Sequence, residues 1–149
     1  MNGYLLLKTL HVVSAVLMLG NVTVTGCWAL LMYRHWRSTG DSFRPIARAI
    51  LWTDLFFTLG GGAGLTISGV LMTVKASVPI METPWLVRGI GALAASGLLW
   101  LVVLLPDQWR LERETDPARI HRIFLRWNVV GWVSTSLLFY ALWCMVVKQ

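Results

Sequence analysis

The sequence predicts an all-α integral membrane protein, a four-helix bundle that uses residues 1–149 as a single transmembrane domain. Three observations carry this reading. The chain is 56% hydrophobic with nine Trp, its mean hydropathy is +0.65, and four uncharged runs are long enough, or nearly so, to cross ~30 Å of hydrocarbon. Those runs are Val12 to Tyr33, Leu55 to Val74, Gly89 to Leu105 and Val129 to Val147. Without water to satisfy the backbone, each must form its own helical hydrogen bonds.

The first helix is predicted over residues 4–33. No cationic stretch precedes it and its apolar run is too long for a secretory h-region, so it reads as a retained span. Pro45 opens the second helix, residues 45–75. Thr83-Pro84 and Asp116-Pro117 each place a capping side chain before a proline at the first helical position, which starts the third helix at 84 and the fourth at 117. Pro106 is expected to end or kink the third near residue 105. The fourth runs over 117–148. The connections leave no room for a soluble domain, and Cys27 and Cys144 fall at opposite ends of their spans, which excludes a disulfide.

The net charge of +6 is divided among short blocks between apolar runs. That pattern points to anionic lipid head groups and not to nucleic acid. Arg34, Arg37, Arg44 and Arg48 flank the first loop, and Arg110, Arg113, Arg119, Arg122 and Arg126 the third; the opposite side holds Lys8, Lys75, Arg88 and Lys148. The positive-inside rule therefore puts loops one and three in the cytoplasm and both termini outside, in the periplasm of a Gram-negative cell. Trp36, Trp52 and Trp109 on the inner side and Trp85 and Trp143 on the outer are placed to anchor the bundle at the head groups.

Polar residues inside spans are the candidates for function. His11, Ser14, Met18, Asn21 and Thr25 fall within about 80° of one face of the first helix, which should point into the bundle. Asp54 and Arg126 each lie about 13 Å past their helix starts. Equal depth marks them as a buried ion pair, with Asn128, Arg48 or Thr58 to complete its hydrogen bonds. Gly60, Gly61, Gly62, Gly64 and Gly69 on the second helix are expected to pack closely against Gly91 and Ala95 on the third. His11 lies roughly 10 Å into the outer leaflet, where a neutral imidazole suits haem or copper, and Met72 and Met145 approach the same depth. His35 and His121 sit among the loop arginines and read as solvated residues.

The blocks Tyr4 to Val22, Asp54-Leu-Phe-Phe-Thr, Pro84-Trp-Leu-Val, Ser96-Gly-Leu-Leu-Trp, Leu105-Pro-Asp-Gln and Arg126-Trp-Asn-Val-Val-Gly resemble, in order along the chain, the bacterial membrane family known as domain of unknown function 2269. That resemblance implies a multi-pass protein of the bacterial inner membrane and carries no activity. More distantly, Lys8 with His11 and the Arg126-Trp-Asn128 block are similar to motifs of copper-resistance D proteins and of the haem-containing membrane protoporphyrinogen oxidase HemJ. Those families imply a b-type haem, or less readily copper, with His11 as ligand and Lys8 steering an acidic group. Arg88 stands where the oxidase family has a lysine, a departure that weakens transfer of its activity.

Two functions stay open. One is a non-catalytic accessory subunit packed against a larger respiratory or photosynthetic membrane assembly, because the spans offer wide surfaces and the chain has no complete catalytic set. The other is a haem- or copper-binding redox protein. Transport finds little support, since charges inside the spans are few and no inverted repeat is apparent.

Overall fold

In the computed structural model, which describes residues 3–148, four long helices run up and down: α1 (Gly3–Thr39), α2 (Arg44–Lys75), α3 (Pro84–Arg113) and α4 (Pro117–Val147). Each is long and apolar enough to cross a bilayer. No strand occurs among the described residues. A span needs only about 20 residues, so every helix has a surplus of roughly two turns or more to carry its charged ends out of the hydrocarbon.

The helix starts follow the local chemistry. Asp116 caps α4 by accepting from the Ala118 N–H at 3.1 Å. Thr83 precedes α3 but does not cap it, because its hydroxyl donates to the Pro79 carbonyl at 2.7 Å. Pro45 lies in the first turn of α2.

Pro106 does not end the third helix. The chain stays helical to Arg113, and the turn just before the proline is a π-helical segment, Trp100–Leu104. Proline cannot donate to the ladder and crowds the preceding turn; widening that turn accommodates both defects without breaking the helix. A second π-helical segment, Asp54–Leu59, interrupts α2.

α1 packs along α2 and α3 along α4, giving two hairpins, with α1 also touching α4. The hairpins join mainly at the arginine-rich end, where the first part of α2 meets the last part of α3. Here lies the continuous core: Ala29, Tyr33, Trp36, Phe43, Ile50, Leu104, Leu111, Phe124 and Trp127 are all buried. The Tyr33 and Phe124 rings stack at 4.2 Å, and Phe43 meets Phe124 edge-on at 5.9 Å. Trp36 belongs to this core, 8% exposed, instead of to the head-group layer. Trp52, Trp109 and Trp143 do lie on the outside.

Gly61, Gly62, Gly64 and Gly69 of α2 face α1, not α3. A Cβ on Gly61 would come within 3.0 to 3.1 Å of Met18 and the Ser14 carbonyl, and one on Gly64 within 2.5 Å of the Ser14 hydroxyl. The neighbour in an antiparallel hairpin comes first in space as well as in sequence, and α1 supplies the groove that the missing side chains leave. Gly60 has nothing within 4 Å.

Candidate functional site

The polar centre of the bundle is built around Asp54, which is 5% exposed and opens the π-helical segment of α2. Its Oδ1 accepts from Asn21 Nδ2 of α1 at 2.9 Å and from the Thr58 hydroxyl at 3.3 Å. Its Oδ2 accepts from Gln108 Nε2 of α3 at 2.5 Å. Asn21 also donates to Thr58 Oγ1 at 3.0 Å, and Thr25 donates to Asn21 Oδ1 at 3.3 Å. Uncharged donors from three helix surfaces thus converge on one carboxylate. Among the described residues no cation forms an ion pair with it.

The pairing of Asp54 with Arg126 expected from equal depth does not form. Arg126 instead grips Asp107, donating through Nε to Oδ2 at 2.8 Å and through a second guanidinium nitrogen to Oδ1. Arg110 adds a third contact to Asp107 at 3.3 Å. Depth fixed only one coordinate; the continuation of α3 past Pro106 carries Asp107 and Gln108, each 1% exposed, into the space between α2 and α4. Asp107 takes the arginine and Gln108 takes Asp54.

Beside Asp54 is a chamber of about 40 Å³. Thr25, Trp100, Trp127, Asn128, Gly131 and Thr135 are among its walls. Asn128 shares this chamber with Asp54, although no hydrogen bond joins them among the described residues. A larger cleft of about 630 Å³ opens at the arginine-rich loops between Trp36, Phe43 and His121, rimmed by Arg37, Asp41 and Glu114. His121 is not a free loop residue there: its Nδ1 shares a hydrogen bond with the Tyr33 hydroxyl, and the two rings stack.

The profile of a family described as "Predicted integral membrane protein (DUF2269)" matches residues 5–149. The chain belongs to the DUF2269 family. No curated protein and no solved structure matches it.

Within this DUF2269 chain, the other candidate site lies toward the chain termini, between α1 and α2. His11 Nδ1 is 3.0 Å from the Leu65 carbonyl and 3.2 Å from Ser68 Oγ. A carbonyl can only accept, so Nδ1 carries the hydrogen and, in the neutral ring, Nε2 keeps its lone pair. Ser68 in turn donates to the Gly64 carbonyl at 2.5 Å. Gly69 lets the imidazole approach, since a Cβ there would lie 3.1 Å from His11 Cε1. Met145 places its methyl group against Gly89 of α3, in the other hairpin, and Lys8 is exposed on α1. Met72 is half-buried on α2. No group of three or more His, Cys, Asp or Glu side chains suited to a metal occurs among the described residues.

Sequence reasoning missed Gln108, Asp107, Trp100 and Trp127 as parts of the centre. A signal was available for the first two: Asp107, Gln108 and Leu111 keep helical spacing past Pro106, the pattern of a helix face that continues inward. The two Trp residues gave none, because an aromatic in a span reads equally well as packing or as anchor.

Proposed function

We propose that this protein is a non-catalytic membrane subunit that docks α3 laterally against a helix of a larger membrane assembly. One observation carries the reading: Gly91 and Ala95, four residues apart on α3, are exposed, and nothing lies within 4 Å of a Cβ built on Gly91. Apolar burial gives no drive for association in lipid, so helices associate where small residues let backbones approach closely. In this chain Gly61, Gly62, Gly64 and Gly69 of α2 serve internal packing on α1, whereas the Gly91 face of α3 has no internal partner. Purification from native membranes in mild detergent tests it: the protein should migrate with a partner, and Gly91→Leu should release it while the protein itself remains folded. A stable monomer from wild-type membranes, with no partner at stoichiometric yield, would overturn the reading.

The His11 geometry favours a second reading, a haem- or copper-binding redox protein. A ring that donates Nδ1–H to a backbone carbonyl and leaves Nε2 free has the orientation of a ligating histidine. An absorption spectrum of the purified protein decides it. A visible band lost in His11→Ala supports this reading, and a colourless, metal-free protein after expression with excess haem precursor removes it.

A further inference from the structure

We propose that the chamber beside Asp54 is a hydration site inside the membrane span, built to hold two or three water molecules between the Trp100 and Trp127 indoles and the Asp54 carboxylate. Trp100 and Trp127 are 7% and 5% exposed, both line the chamber, and neither Nε1 makes a hydrogen bond of normal geometry among the described residues, although the Trp100 indole approaches the Asp54 carboxylate. An indole N–H can only donate, and a buried donor without an acceptor is rare in folded proteins. Two such donors against one cavity call for an occupant that accepts.

The occupant's chemistry is narrowed by the opposite wall. Asp54 lines it there, with the polar residues Thr25, Asn128 and Thr135 also in the lining. A metal cation cannot accept from the indoles, and an anion would face the carboxylate without a compensating cation. An apolar molecule would satisfy neither side. The occupant must accept from N–H and donate to carboxylate, which water does. Size agrees: a water needs about 10 to 15 Å³ of such space and two to four polar partners, and the chamber offers about 40 Å³.

The backbone is shaped around the same spot. Asp54 is the first residue of one π-helical segment and Trp100 the first of the other. Such widened turns are rare and recur at functional sites. Both of these side chains line the chamber.

Full-length protein with ¹⁵N-labelled tryptophan, in detergent micelles or nanodiscs, tests the proposal by nuclear magnetic resonance. Trp100→Phe and Trp127→Phe assign the two indole signals. Each N–H should show magnetisation transfer from water while remaining unbroadened by a soluble paramagnetic reagent that broadens Trp109. Absence of transfer at both would overturn the site, as would signals that shift under xenon, which enters dry apolar cavities. Gly131 lies on the chamber wall, and a Cβ there meets only Leu104 Cδ2 at 4.0 Å. Gly131→Val should therefore abolish the transfer in a protein that keeps its helical circular dichroism. Transfer that persists in folded Gly131→Val would place the water elsewhere and overturn the proposal; the wild-type measurement decides independently if that variant fails to fold.

Discussion

Gln108 of α3 donates its side-chain amide to Asp54 of α2 across 2.5 Å, and both residues are buried. This bond ties the two hairpins together where the first part of α2 meets the last part of α3. Gln108→Leu leaves Asp54 one donor short. It should lower stability by about 1 to 3 kcal/mol, the range for a buried polar group deprived of its partner, read as the loss in thermal unfolding in detergent. Gln108→Asn, whose shorter amide does not span the gap, should behave more like the leucine than like the wild type.

Arg126 of α4 and Asp107 of α3 form a charged pair between helices. Arg126→Gln should cost about 2 kcal/mol, less than for a fully buried pair because the arginine keeps half its side chain exposed. A double-mutant cycle separates the pairings. Asp107→Asn with Arg126→Gln should give a coupling above about 0.5 kcal/mol, while Asp54→Asn with Arg126→Gln should be additive within that margin. Coupling between Asp54 and Arg126 would mean that the two are partners after all.

The glycines of α2 should divide sharply by face. Gly61→Ala and Gly64→Ala drive a methyl group into Met18, the Ser14 carbonyl or the Ser14 hydroxyl, an overpacking worth about 1 to 3 kcal/mol. Gly60→Ala, with nothing within 4 Å, should be neutral or stabilising by up to about 1 kcal/mol from helix propensity. Equal losses at all three positions would contradict the packing of α2 on α1.

Tyr33→Phe removes the hydroxyl that meets His121 but keeps the ring stack with Phe124. The expected loss is about 1 kcal/mol, the net worth of one hydrogen bond. Tyr33→Ala should cost at least about 3 kcal/mol by opening the aromatic core. A similar loss for both variants would assign the stability to the hydrogen bond instead of the stack.

The four spans, their order and the inward stripe of α1 were legible in the sequence because hydrocarbon thickness and helical periodicity leave few alternatives. Ser14, Met18 and Thr25 are buried on the face their spacing predicted. The partners were not legible. Residues at the same depth can lie on opposite sides of a bundle, so Asp54 and Arg126 matched in depth yet found Gln108 and Asp107. The end of α3 was lost at Pro106, where the rule that proline stops a helix was outweighed by a π-helical turn that absorbs it. The glycine run of α2 announced close packing, but a run of glycines carries no side chain to say which neighbour approaches.

The continuous core of the bundle gathers at the arginine-rich end, where four helices and five aromatic rings meet. Toward the other end, each hairpin is held by its own helix pair, and α2 and α3 no longer pack on one another. Resistance to opening is therefore graded along the membrane normal. Amide hydrogens near Phe124 and Leu111 should be the last to exchange, those near Leu71 and Val87 among the first. A partner inserting between the two hairpins would enter from the terminal side, against two-helix arms, and would leave the anchored base intact.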